Sequence, residues 1–230
     1  MATDDGSYGD DIYTEPPSGD DTLAQLGPLA PMAGVWAGAG HDEHPVAEGT
    51  DEDEFNERYE LQPIDPQTNG PQLLFGLRYH THVVRPDDPE TFHDQVGYWL
   101  WEPARSRVML TLSIPRAQVV LAGGPADAGS TEFELRATRG DTVFGILSNP
   151  FLDSEFTTVS YRIHVTIHPD GRWSYEEEGV MQIAGRDEPF SHIDRNTLTR
   201  IAPPSLNPRA VAAGVRHPGD DGSLGIGSLR

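Results

Sequence analysis

Nine histidines and no cysteine make imidazole the chain's main soft donor to a metal, and they exclude disulfides, thiolate ligands and thiol nucleophiles. A histidine binds a metal through one neutral ring nitrogen while the other donates to an acceptor, so a useful histidine has a carboxylate nearby. His192 has Asp194 two residues on, on the same face of an extended segment. His80 and His82 form a His-x-His pair with chelating spacing, but no Glu follows at the distance of a cupin set. Arg78 shares their face, so the pair is expected to point into solvent. His164 and His168 fall on the polar face of an alternating segment and read as surface, and His41 and His44 lie in an acidic loop where they would guard a pocket mouth. His93 opens a strand after a turn, and His217 belongs to the tail. No Gly-x-Ser-x-Gly, phosphate loop, dinucleotide fingerprint or zinc-type spacing occurs. The run Glu176-Glu177-Glu178 reads as a solvated strand face, and Trp99 and Trp101 as wall packing.

The elements that must position these groups are strands. Leu73, Phe75, Leu77, Tyr79, Thr81 and Val83 alternate with Leu74, Gly76, Arg78, His80, His82 and Val84. Val159, Tyr161, Ile163, Val165 and Ile167 alternate in the same way with polar residues, and a period of two marks a strand. Further strands are expected over 34–40, 55–62, 92–101, 107–113, 118–122, 131–137, 141–147, 172–183 and 190–201. Turn signals separate them, among them Asn69-Gly70-Pro71, Pro86-Asp87-Asp88-Pro89 and Pro169-Asp170-Gly171. The segments 43–55 and 63–71 read as long loops. The one helical piece expected is 22–32, with Leu23, Leu26 and Leu29 at helical spacing. About ten strands joined by short turns must close or stack, and closure leaves a lumen for one ligand. Residues 24–202 are therefore expected to form one domain. The acidic segment 1–23 and the Pro/Gly-rich segment 203–230 read as loose arms.

Charge bounds the partners. Sixteen basic residues, all Arg, against 37 acidic ones give a net charge of −21, which repels phosphate backbones and anionic headgroups, so neither nucleic acid nor a membrane surface is an expected partner. The start has no basic and apolar signal pattern, and no run approaches the roughly 20 apolar residues of a spanning helix. These features imply a soluble cytoplasmic protein that takes a small molecule; a homodimer stays open.

Gly34-Val35-Trp36-Ala37-Gly38-Ala39-Gly40 places glycines and one Trp on a single parity, vacating a strand face for another backbone or a flat ligand. This Gly-x-Trp-x-Gly-x-Gly run resembles the signature of the nitrobindins, ten-stranded haem-binding barrels shaped like fatty-acid-binding proteins. The resemblance continues in Phe92-His93-Asp94-Gln95-Val96-Gly97-Tyr98-Trp99, in 108–124, and in Pro189-Phe190-Ser191-His192-Ile193-Asp194, where the family places a Pro-x-x-His that ligates haem iron. It covers roughly residues 30–201.

The resemblance implies a single antiparallel all-β barrel holding haem b. His192 would be the iron ligand and His93 would stand on the distal side. Gly34, Trp36, Gly38, Gly40, Met109, Ile114 and Met181 would line the cofactor. It further implies a ferric haem that isomerises peroxynitrite to nitrate; the alternative is a haem-free carrier of an apolar molecule such as a fatty acid. Two family positions differ. Val46 stands where the family has a Thr, and the family's Lys near the propionates has no counterpart in a chain without lysine. Arg116 or Arg162 would take that propionate role.

Overall fold

The computed structural model describes Tyr8, residues 11–17 and residues 22–205; His217 lies outside these. Eleven strands alternate with short turns: β1 (Gly34–Pro45), β2 (Thr50–Asn69), β3 (Gln72–Arg85), β4 (Asp88–Glu102), β5 (Arg107–Ile114), β6 (Gln118–Pro125), β7 (Glu132–Thr138), β8 (Ile146–Ser148), β9 (Phe156–Ile167), β10 (Trp173–Ile183) and β11 (Phe190–Ala202). A six-residue helix, α1 (Pro150–Glu155), precedes β9. Each strand pairs antiparallel with the next from β1 to β7, then β7 with β9, β9 with β10, β10 with β11, and β11 with β1. Ten strands thus close an antiparallel barrel, and β8 adds to β6 outside the closure. The all-β barrel expected from the period-two pattern is the fold observed.

The seam between β6 and β7 is the thinnest part of the ladder, with the single pairing Gly123↔Arg136. Toward its other end β6 pairs with β8, and its own Gln118 side-chain amide donates to Thr158 Oγ1 of β9 at 2.9 Å. The strands diverge there, and α1 sits in the gap. Asn149 caps α1, its Oδ1 accepting from the amides of Phe151 and Leu152, while Pro150 occupies the first helical position, where a missing N–H costs nothing. Asn149→Ala is expected to destabilise the fold by about 1 kcal/mol, which chemical denaturation would register. The Asn-Pro step was the sequence signal for this helix, which the strand periodicity passed over.

The two ends of the barrel differ in filling. At one end the segment Gly27–Met32 folds as a 3₁₀ turn, because Pro28 and Pro31 remove the amides an α-helix over 22–32 would need. It still buries Leu26, Leu29 and Met32 completely, against Trp36, Leu61, Phe75, Leu77, Trp99, Leu110, Leu135, Trp173 and Leu198. At the other end lie the β1–β2, β3–β4, β5–β6 and β10–β11 turns and α1, and there the interior is not filled.

Three sequence expectations change. The segments 43–55 and 63–71 are mostly ladder, since β1 and β2 stay paired out to Pro45↔Thr50 and β2 runs on to Asn69 with a bulge between Ile64 and Gln67. Backbone pairing there is indifferent to the exposed Asp and Glu that masked the alternation, and the bulge accommodates Pro66, which lacks an N–H. The strand expected over 141–147 shrinks to Ile146–Ser148, because Asp141 Oδ1 accepts from the Val143 and Phe144 amides and curls the chain into a turn.

Candidate functional site

Alternation decides which side chains reach the lumen. On β11, His192, Asp194, Asn196 and Leu198 all point inward, and Asn196 and Leu198 are buried. On β10 the inward set is Trp173, Tyr175, Glu177, Gly179 and Met181. Above the aromatic floor these strands carry a polar layer. Glu57 accepts from Thr81 Oγ1 at 2.5 Å, Tyr175 Oη at 2.9 Å and Asn196 Nδ2 at 2.7 Å. Burial raises its pKa, and those three donors only partly offset the rise.

Beyond this layer opens a cavity of about 730 Å³, within the range of small-molecule sites. Its apolar wall includes Leu112, Ile114, Val120, Phe156 and Met181. His192 stands on the facing wall. Its Nε2 lies 2.6 Å from Asp42 Oδ1 and 3.7 Å from Asp194 Oδ2, and its Nδ1 has no partner among the described residues. Asp42 uses its other oxygen for His44 Nδ1, at 2.9 Å. Gly179 pairs with His192 across β10–β11, and a Cβ built on it would meet nothing within 4 Å. The wall beside the imidazole is therefore bare.

The electrostatics of this wall are unusual. Burial holds the Asp194 carboxyl well above the usual carboxylate range and pushes Glu177 up to about 7. Burial acts against a charge on His192, but the Asp42 hydrogen bond and the charges of Asp194, Asp42 and Glu177 outweigh it and raise its pKa. Burial likewise opposes ionisation of Asp42, yet the hydrogen bond and charge of His192, with His44 behind them, hold its pKa below the ordinary value. His93 lines the same cavity from β4, where burial lowers its pKa and Gln95 Oε1 lies 3.3 Å from its Nε2.

The sequence-derived residues divide cleanly. His192, His93, Ile114 and Met181 line the cavity. Gly34, Trp36, Gly38, Gly40 and Met109 do not. Trp36 is fully buried in the floor, its Nε1 donating to the Met32 carbonyl at 2.7 Å and its ring edge-on to Trp173. The space vacated by Gly38 is taken by the Asn196 side chain and the Thr197 carbonyl, and that of Gly40 by the Phe55 ring and the Arg195 carbonyl. These glycines admit the polar layer and the crossing of β11, not a ligand. Met109 alternates with the buried Val108 and Leu110, which turns it to the outside of β5.

Of the two arginines considered for the propionates, Arg116 lines the cavity, whereas Arg162 is tied on the outer face to Glu134, Glu176 and Glu178. Val46 is not part of the lining; its carbonyl accepts from Arg186. His80 and His82 point outward to Asp94 and Thr91, and His164 to Glu132. Sequence reading missed Asp42 and Glu177, while His44, expected at a pocket mouth, lines the cavity. Glu177 looked like part of a solvated run, but the alternation that puts Tyr175 inside also puts Glu177 inside.

The family of heme-binding beta-barrel domains of the THAP4-like type matches residues 25–200. The chain belongs to this family, as the nitrobindin-like motifs had suggested. Among solved structures it is similar to Rv2717c from M. tuberculosis, at 23% identity and a TM-score of 0.55, over 78% of this chain and 96% of that one; this likeness concerns the fold. The comparison with curated proteins gave no match.

Haem suits these residues on three counts. An imidazole with one engaged and one free nitrogen stands on the cavity wall, the wall beside it is bare at Gly179, and an apolar surface faces it. Two cations, Arg85 and Arg116, also line the cavity. Among the described residues no helix is long and apolar enough to cross a membrane.

Proposed function

We propose that the cavity holds haem b with His192 on the iron, and that the loaded protein isomerises peroxynitrite to nitrate. The placement of His192 carries this reading, with Asp42 engaging Nε2, Nδ1 unpartnered and Gly179 leaving the adjacent wall open. Membership in a haem-binding family supports the cofactor. Ferric iron bound there would supply an electrophilic centre for an anionic oxidant and promote cleavage of its O–O bond.

The chain's own groups do the rest. Asp42 fixes the ring and, as acceptor to its second nitrogen, raises its basicity. Leu112, Ile114, Val120 and Met181 give the porphyrin a dry surface, which strengthens every polar contact inside. His93, kept neutral by burial, offers a hydrogen-bonding imidazole within the cavity. Arg116, whose guanidinium has no partner among the described residues, and Arg85, paired with Asp53, are the cations for the propionates. Guanidinium suits this role because its donors match a carboxylate in pairs.

Stopped-flow traces of peroxynitrite decay test the reaction. The hemin-loaded protein is expected to accelerate decay and the hemin-free protein is not; equal rates for the two would overturn the isomerase. If a fatty acid displaced an apolar fluorescent probe tightly and no hemin bound, the carrier reading would replace it.

A further inference from the structure

We propose that, without haem, Asp42, His192 and Asp194 bind a divalent first-row transition metal ion inside the barrel, so that His192 serves either of two metal cofactors. This does not depend on the haem reading, although it uses the same imidazole.

The donors are one imidazole nitrogen and two carboxylate oxygens, all within 4.8 Å of one another. The backbone assembles them, since Asp42 of β1 pairs directly with Asp194 of β11, and His192 lies two residues along on the same inward face. In a tetrahedral site with metal–ligand bonds of 2.0–2.1 Å, neighbouring donors stand about 3.3 Å apart. Here Nε2 is 2.6 Å from Asp42 and 3.7 Å from Asp194. An ion would have to widen the first separation and narrow the second by well under 1 Å each. Nitrogen and oxygen donors in this ratio suit zinc, iron, manganese or cobalt, whereas calcium prefers an all-oxygen shell.

Two further observations point to a ligand at this wall. First, the row across β9, β10 and β11 reads Tyr161, Gly179, His192. Tyr161 is 5% exposed and its hydroxyl faces the Glu177 carboxyl without forming a hydrogen bond of normal geometry. A buried hydroxyl left unsatisfied on a cavity wall, beside the bare Gly179, calls for a polar occupant such as a metal-bound water. Second, the Asp194 carboxyl makes no hydrogen bond among the described residues, and Asp194 pairs with Glu177 across β10–β11. Two carboxyl groups side by side on one cavity wall repel unless a cation or protons lie between them. His44, on the far oxygen of Asp42, supplies the outer partner that metal-binding carboxylates ordinarily have.

The experiment is a Co²⁺ titration of the full-length hemin-free protein, followed by the visible d–d absorption, alongside hemin titrations of the same samples. One equivalent of Co²⁺ is expected to bind and to be displaced by Zn²⁺. Asp194→Asn should lower Co²⁺ affinity at least tenfold while keeping the Soret band with hemin, and His192→Ala should lose both. Zn²⁺ loaded first should slow hemin uptake. The proposal is overturned if wild type and Asp194→Asn take up Co²⁺ equally, or if Zn²⁺ and hemin bind together without competing. Failure of the haem reading looks different: no Soret band in any variant, with Co²⁺ uptake intact.

Discussion

His192→Ala is expected to abolish the Soret band that hemin gives with the native protein, while His80→Ala and His82→Ala leave it unchanged. The contrast rests on direction. His192 stands on the cavity wall, whereas the His80–His82 pair lies outside the barrel on Asp94 and Thr91. Removing the imidazole proposed as the iron ligand should cost more than removing its carboxylate partner. Loss of such a partner typically lowers metal affinity about 10–100-fold, and Asp42→Asn is expected to fall in that range. Circular dichroism of His192→Ala should retain the strand signature, so that a lost Soret band reports the site and not the fold. Equal hemin binding by all three histidine variants would refute the assignment.

The hemin-free and metal-free protein is expected to lose stability as pH rises from acid to neutral, by about 3 kcal/mol through Glu177 alone. Its carboxyl moves from an ordinary 4.5 to about 7 on folding. The folded chain therefore binds the proton more tightly than the unfolded one. Below the unfolded value both states are protonated and nothing is lost. Between the two values the unfolded state ionises first and gains, and above the folded value the loss is complete. Glu57 and Asp194, also raised by burial, act in the same sense. So does His192, whose raised pKa gives stability at low pH that disappears as the ring deprotonates. Asp42, held low, opposes them only in stronger acid. Urea denaturation at about pH 5 and about pH 8 measures the slope. Glu177→Gln should flatten it; a midpoint that is higher at the alkaline end would contradict the account.

The barrel was legible in the sequence because a period of two forces alternate residues to opposite faces, and that many short strands have to close or stack. The family was legible in the residues around Trp36 and His192. What the motif's glycines do was not. Whether Gly38 and Gly40 admit a ligand or a neighbouring strand depends on which chain segment crosses them, and only the pairing of β1 with β11 shows that Asn196, Phe55 and backbone carbonyls fill the space.

The inward direction of His192 was equally hidden. Its parity partners Asp194 and Asn196 are polar, so hydrophobic alternation could not point the strand, and the lumen's polar layer becomes visible only when Glu57, Glu177 and Asn196 meet around it. Parity also decides against Met109, whose apolar side chain fitted either face in the sequence and lies outside in the fold. Local sequence thus determined the strands and the turns, and it singled out the imidazole proposed as the donor. The sheet closure, which brings Asp42 from β1 against His192 and Asp194 from β11 across 150 residues of chain, decided that this imidazole stands among carboxylates, because cross-strand neighbours are chosen by register and not by proximity along the chain.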